Sequence, residues 1–494
     1  MVLVVVGHKF HYEMENLCRI FFPGENIKVI YEDLENTENE IIIKTKMCEV
    51  DKDCLKISVG IFNGEISNKL NYTVSKNQDN IDIELKMAVL LFELLSSFTK
   101  YTPKWGVLTG VRPSKLMTKL VSTMGEENAK EYFENSLLVN PQKTNLALQV
   151  AKKEQVIIEK SNPNSFSLYV SIPFCPTRCS YCSFVSHSIN SSSAKKLLPQ
   201  YLDLLCDEIK LTAKIANEIG LNLETIYIGG GTPSILDENQ IKRILKEICD
   251  NFNIKSLKEF TFEAGRPDTI DEEKLQAIKQ FPVSRISINP QSFNDDVLKE
   301  IGRNHLADQT IFAYHLAKSL DFNDINMDII AGLPKDDIQS FKNTLETLLE
   351  LSPSSITVHT LAIKKSSKIA VDEFATKQSE ITCEMVELAE EMLSKNKYTP
   401  YYMYRQSKSL GNLENVGWCK EGFEGYYNIF MMEECHTVLA VGAGAVTKLK
   451  EPHGNYIERI FNYKYPYEYI NQFETIIDRK NKIYNFYELY KIGG

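Results

Sequence analysis

Cys175, Cys179 and Cys182 crowd three thiols into one short stretch, Phe174-Cys175-Pro176-Thr177-Arg178-Cys179-Ser180-Tyr181-Cys182. The chain has 11 cysteines, and the others stand singly along it, as free thiols do in a large protein that needs no disulfide framework. Thiolates spaced C-x3-C-x2-C select zinc or an iron–sulfur cluster. Structural zinc asks for four closed ligands, and only His187 stands near enough in sequence to complete them. A cubane held by three cysteines leaves one iron without a protein ligand, open to an amino-carboxylate chelate.

Further polar groups recur where a strand gives way to a turn. Tyr227-Ile228-Gly229-Gly230-Gly231-Thr232-Pro233 carries three glycines that let backbone approach a ligand closely. Glu263 ends Phe262-Glu263, Gln291 follows Ile288-Asn289-Pro290, and Arg303 lies in Ile301-Gly302-Arg303-Asn304-His305. Asp328 sits within Ile325-Asn326-Met327-Asp328-Ile329-Ile330, ahead of Gly332-Leu333-Pro334. Any one of these has an ordinary structural reading as a turn glycine or a solvated strand-end carboxylate. Several at the same end of consecutive strands point to one mouth.

The elements that must position them alternate regularly. Strands are predicted at 167–172, 225–229, 258–264, 283–288, 324–330 and 355–361, separated by amphipathic helices. One helix is predicted over 199–219, from Pro199 to Gly220, and the next begins at Asp237 with Gln240 completing a capping box. Six such steps imply a parallel sheet, either doubly wound or curled into a barrel. Strand parity favours the barrel. Ile286, Ile288, Ile325, Met327, Ile329, Ile356 and Val358 share one face, while Ser287, Asn289, Asn326, Asp328, Thr357 and His359 share the other. With helices outside, the polar set faces an open interior, and barrel chemistry sits at the strands' C-terminal ends.

The predicted architecture is therefore α/β: a partial six-strand barrel of the TIM type over 163–375, an N-terminal α+β domain over 1–162 and a C-terminal α+β region over 376–494. The N-terminal part shows strand-like runs (Val2 to Val6, Ile41 to Ile43, Ile57 to Ile61), an apolar helix near Met87–Phe98 and another helix over 129–160. Within it, Arg112 and Lys115 offer cations for substrate carboxylates. Composition is that of a globular protein, with 43% hydrophobic and 25% charged residues. A net charge of −10 argues against a general nucleic-acid binder. No apolar run approaches the ~20 residues of a membrane span, so a cytoplasmic protein is expected.

The C-x3-C-x2-C motif after the first barrel strand, with Tyr181 before the last cysteine, closely resembles the radical S-adenosylmethionine superfamily. The strand-end motifs over about 165–450 resemble the oxygen-independent coproporphyrinogen III dehydrogenase group, with its HemN, HemZ and HemW branches. Gly411-Asn412-Leu413-Glu414-Asn415-Val416-Gly417, Met431-Met432-Glu433-Glu434 and Gly442-Ala443-Gly444-Ala445 fit the HemZ-like branch best, as does the long N-terminal domain. The resemblance implies a 4Fe–4S cluster on Cys175, Cys179 and Cys182 and S-adenosylmethionine as cofactor. It implies that Gly230, Gly231 and Thr232 meet the cofactor's methionine amino end, that Glu263, Gln291, Arg303 and Asp328 hold its methionine and ribose groups, and that Tyr181 packs beside the adenine. The implied activity is oxidative decarboxylation of coproporphyrinogen III propionates to vinyls, with a tetrapyrrole substrate and a reductant such as flavodoxin or ferredoxin. The sequence departs from the oxidase pattern at Cys182-Ser183-Phe184, where a fourth cysteine is missing, and from the HemW pattern in lacking H-N-x-x-Y-W. A haem-binding chaperone and a radical methyltransferase are the alternatives. Tyr401-Tyr402-Met403-Tyr404-Arg405 reads either as a wall facing a tetrapyrrole or as an ordinary strand.

Overall fold

A computed structural model describes residues 1–490 except 24, 34–39, 65, 185, 363–371 and 407. The chain forms two compact units. The first comprises Met1–Ala151 with two later segments, Ala370–Cys383 and Tyr404–Glu414. Its apolar run Val2–Val6 is an inner strand, parallel to Lys28–Ile30 and Ile42–Glu49, with Cys54–Asn63 and Ile66–Ser75 added antiparallel. The apolar helix runs Asn80–Thr99 and buries Met87, Leu91 and Leu95.

The helix predicted over 129–160 is interrupted. Glu126–Glu131 passes into a π-turn at Tyr132–Ser136, and a new helix starts at Pro141. The break has a cause in chain chemistry. Pro141 supplies no N–H and suits a first helical turn, and Asn140 accepts from the Gln142 N–H at 2.9 Å. Backbone bonds from Val107 to Leu137 (2.9 Å) and from Asn140 to Lys104 (2.9 Å) then hold the intervening loop. Beside it lies a buried charge cluster. Glu414 accepts from Lys143 Nζ and from Trp105 Nε1, each at 2.6 Å, and both ionic side chains are at most 1% exposed.

The second unit holds the predicted alternating strands: β1 (Ser165–Ile172), β2 (Asn222–Gly230), β3 (Glu259–Glu263), β4 (Arg285–Ser287), β5 (Asp324–Ala331) and β6 (Ser355–Thr360). They are parallel neighbours in that order. The sheet does not close on itself. Strands β7 (Thr399–Arg405) and β8 (Glu414–Cys419) extend it beyond β6, while β9 (Thr437–Val441), β10 (Val446–Lys450) and β11 (Ile457–Phe461) extend it beyond β1. This is the expected partial six-strand barrel. Its two parities behave as the residue types require. Ile286, Ile325, Met327, Ile329 and Ile356 are buried at 0–1% exposure. The opposite face is a polar network, in which Asn326 Nδ2 donates to Asp328 Oδ1 at 2.7 Å and Asn326 Oδ1 accepts from Thr357 at 3.2 Å.

The capping box at Asp237 and Gln240 is present in both directions, at 2.8 and 3.1 Å. The preceding helix differs from expectation. It begins at Ser192, capped by the Ser191 side chain, and carries Pro199 inside it. An internal proline forfeits one helical hydrogen bond. Here the first turns also bury Ala194, Leu198 and Tyr201, and that burial outweighs the lost bond.

Candidate active site

Strand β1 ends at Ile172, and the chain returns as a short ribbon in which Phe174–Cys175 pairs with His187–Ser188. The cysteine loop lies between these arms. It is pinned by Ser180 N–H to the Ile301 carbonyl (3.0 Å), Thr177 Oγ1 to the Gly302 carbonyl (3.1 Å) and Ser188 Oγ to the Pro176 carbonyl (2.8 Å). The glycine turn after β2 fastens the first thiol. Gly231 N–H donates to Ile172 at 2.8 Å, Thr232 N–H to Phe174 at 2.7 Å, and Thr232 Oγ1 to Cys175 Sγ at 3.4 Å. A Cβ on Gly231 would lie 2.6–2.8 Å from the backbone of Ile172 and Phe174, so only glycine fits. Gly230 has φ +104°, and a Cβ there would fall 2.9 Å from the Ser171 hydroxyl.

Two buried guanidinium groups face Cys179. Arg266 is held by both oxygens of Asp268 (2.9 Å each) and extends Nη1 toward Thr177 Oγ1 (3.2 Å) and Cys179 Sγ (3.7 Å). Arg303 donates Nη1 to the Asn289 carbonyl (2.7 Å) and Nη2 to the Tyr181 hydroxyl (3.3 Å), and that hydroxyl donates to Gln291 Oε1 at 3.3 Å. Gln291 has φ +67°, a left-handed backbone unusual for this residue. Its N–H bonds the Asp328 carbonyl at 2.9 Å, so the strained residue fixes the Tyr181 end of the loop to β5.

Farther down the interior sit two carboxyl groups of opposite character. Burial, then the nearby Asp328 charge, pushes Glu263 up to about 8, against a hydrogen bond with Tyr227. Burial raises Asp328 too, but hydrogen bonds from His359, Asn326 and Thr357 outweigh it and leave the group below its ordinary value. His359 Nε2 is 3.7 Å from Asp328 Oδ2. Tyr227 stacks on Tyr427 at 4.7 Å between centroids, and Tyr169 lies against both at 6.3 and 6.4 Å. A Cβ on Gly229 would fall 2.6 Å from Glu263 Oε2, so this glycine gives the carboxyl its room.

The three thiols, Tyr181, Gly230, Gly231, Thr232, Glu263, Gln291, Arg303 and Asp328 thus belong to one connected set at the strand C-terminal ends. The donor chemistry fits a cluster: three neighbouring thiols, two of them raised by burial (Cys182 to about 11), beside two cations that favour thiolate. Among the described residues no three His, Cys, Asp or Glu side chains converge on a single ion. A cubane offers each thiolate a different iron and requires neighbours, not convergence. Arg266, His359 and the tyrosines were not singled out by sequence. Arg266 follows Glu263 by three residues and His359 lies on the polar parity, but the partners that give them meaning, Cys179 and Asp328, come from other parts of the chain.

Tyr401–Arg405 is a packed strand, not a ring wall. Tyr401, Tyr402 and Arg405 are at most 4% exposed, and Arg405 spends Nη1 on the carbonyls of Leu108 (2.8 Å) and Gly110 (3.3 Å). Arg112 and Lys115 lie in the first unit, at the start of the helix Pro113–Met124. No described helix is long and apolar enough to cross a membrane.

Residues 169–348 match the family model of the radical SAM superfamily. The chain is 37% identical over 402 residues to the oxygen-independent coproporphyrinogen-III oxidase-like protein HemZ of Bacillus subtilis, covering 80% of each. It is 31% identical to the heme chaperone HemW of Haemophilus influenzae, over 64% of this chain and 78% of that one. Among solved structures, coproporphyrinogen III oxidase (HemN) from Escherichia coli aligns with a TM-score of 0.49 at 21% identity, over 66% of this chain and 73% of that chain. The chain therefore belongs to the radical SAM superfamily, in the group of HemZ and HemW, with a 4Fe–4S cluster and S-adenosylmethionine as its cofactors.

Proposed function

We propose that this protein is an oxidoreductase of porphyrin metabolism that converts the propionates of coproporphyrinogen III to vinyls. The observation that carries the reading is the extent of the likeness to HemZ. It runs over 402 residues, far beyond the 169–348 segment common to the superfamily, so the likeness extends past the cofactor-binding core.

In this reading Cys175, Cys179 and Cys182 hold the cluster, and the Gly230–Thr232 turn receives the amino end of S-adenosylmethionine. Arg303 pairs with its carboxylate, Gln291, Asp328 and Glu263 take the methionine and ribose groups, and Tyr181 closes the adenine side. When bound, these cofactors would supply a 5′-deoxyadenosyl radical able to take a hydrogen atom from a propionate arm, and loss of carbon dioxide with transfer of the remaining electron to an external one-electron acceptor would leave a vinyl. The buried walls of β1 and β2 keep water from the interior, and Arg266 and Arg303 hold positive charge beside Cys179. A low-potential reductant of the flavodoxin or ferredoxin class feeds the cluster.

One observation favours a second reading, a haem-delivery protein of the same fold. Phe184, 64% exposed, occupies the position where the oxidase pattern has its fourth cysteine. Anaerobically reconstituted protein, reduced with dithionite and given S-adenosylmethionine and coproporphyrinogen III, decides between them. Decarboxylated porphyrin appearing with 5′-deoxyadenosine supports the oxidase. Deoxyadenosine without porphyrin product removes this substrate, and stoichiometric haem binding without turnover supports the chaperone.

A further inference from the structure

His359 occupies the polar parity of β6, where it reaches across to β5 and β8 at once. One ring nitrogen, Nε2, faces Asp328 Oδ2 at 3.7 Å. The ring also hydrogen-bonds the side chain of Asn415, and Asn415 Oδ1 accepts from the Thr360 N–H at 3.0 Å. Asn415 is fully buried and so cannot swing away from this role. An imidazole with an acceptor on each side is suited to carrying two protons. The charged or titratable groups facing it are Asp328 on β5 and Glu263 on β3, with Asn415 on β8 neutral.

Asp328 is fixed from both ends. Oδ1 accepts from Asn326 Nδ2 at 2.7 Å, and Oδ2 faces His359. Those two contacts set the carboxylate plane, and His359 supplies positive charge beside it. Without that charge, burial pulls Asp328 toward its protonated form.

We propose that His359 is a positioning residue that keeps Asp328 ionised and oriented to accept hydrogen bonds from the ribose hydroxyls of S-adenosylmethionine, so that cofactor affinity follows the protonation of His359. This rests on the assignment of Asp328 to the cofactor site. Burial opposes the imidazolium, but its bonds to Asp328 and Asn415 win and raise it above its ordinary value. The sign follows. Affinity is full while His359 is protonated and falls as pH rises through its titration.

The test is equilibrium binding of S-adenosylmethionine to cluster-loaded protein, without tetrapyrrole, over about pH 6 to 9. Wild type should lose affinity on the alkaline side. His359→Gln should bind about tenfold more weakly at the acid end, the loss of one charge-assisted bond, and should lack the alkaline fall. Asn415→Leu, which removes one acceptor, should keep the fall but move it to lower pH, and it serves if His359→Gln does not fold. A fall retained unchanged in His359→Gln overturns the proposal, because the titrating group is then Glu263 or another. Asp328→Asn separates the two levels. If it binds as tightly as wild type, the site assignment fails, whereas weak binding by Asp328→Asn with a wild-type pH profile in His359→Gln refutes the role of His359 alone.

Discussion

Replacing Gly231 by alanine should uncouple the cysteine loop from the barrel. An added Cβ would stand 2.6 Å from the Phe174 carbonyl oxygen, 2.7 Å from that of Ile172 and 2.8 Å from the Phe174 nitrogen. All three are backbone atoms, and no rotamer change relieves them. Forcing a methyl into such a place costs about 1–3 kcal/mol as strain. If the turn retreats instead, it stretches the Gly231–Ile172 and Thr232–Phe174 bonds, now 2.8 and 2.7 Å. Each of these is worth about 1 kcal/mol. By either route the expected loss is about 1–3 kcal/mol, together with displacement of Cys175, whose strand these bonds hold. Two assays read it: urea unfolding of the protein, and iron and sulfide content after anaerobic reconstitution. Gly110→Ala is the control, since nothing lies within 4 Å of its added Cβ. The reasoning fails if Gly231→Ala matches Gly110→Ala in both stability and iron content.

Two further outcomes follow from the buried charges. Glu263 holds its proton up to about 8, against an ordinary value of 4.5, so the folded chain binds more protons than the unfolded one between those limits and stability falls as pH rises through them. Relative to Glu263→Gln, wild type should lose about 4–5 kcal/mol across that window, measured by denaturant unfolding at a series of pH values, and a constant difference would contradict the assignment. Lys143→Met strands the Glu414 carboxylate in a fully buried site and should cost about 3–5 kcal/mol. Trp105, bonded to the same carboxylate, reports the transition by fluorescence, and a loss below ~1 kcal/mol would show that the pair is dispensable.

The strands of the barrel were legible because each combines a short apolar run with a strict two-residue alternation, and both faces of the alternation have a physical use. The cysteine loop was legible because three thiols at that spacing have few chemical uses. Boundaries were less so. Pro199 suggested a helix start, but Ser191 caps the helix a full turn and more earlier, and burial of Ala194 and Leu198 makes the extra turns worthwhile. Asn140-Pro141 carried the signal for a helix break that continuous amphipathicity over 129–160 obscured. Side-chain roles that depend on remote partners were out of reach. Arg266 acts on Cys179 across 87 positions of sequence, and His359 and Asp328 meet only because β5 and β6 are neighbours in the sheet. Tyr427 joins Tyr169 and Tyr227 from a helix beyond the barrel strands altogether.

The pairing of β9 with β1 also bears on how the chain is made. Strand β1 leads into the cysteine loop, yet its outer neighbour is Thr437–Val441, roughly 265 residues downstream of Ile172. At a ribosomal rate of about 5–20 residues per second, tens of seconds pass between the emergence of the two. Throughout that interval one edge of β1 has unpaired amides and carbonyls, an invitation to intermolecular pairing. The nascent protein therefore exposes the thiols of its cysteine loop before the sheet that carries them is complete. Iron delivery during synthesis and iron delivery after release meet different acceptors.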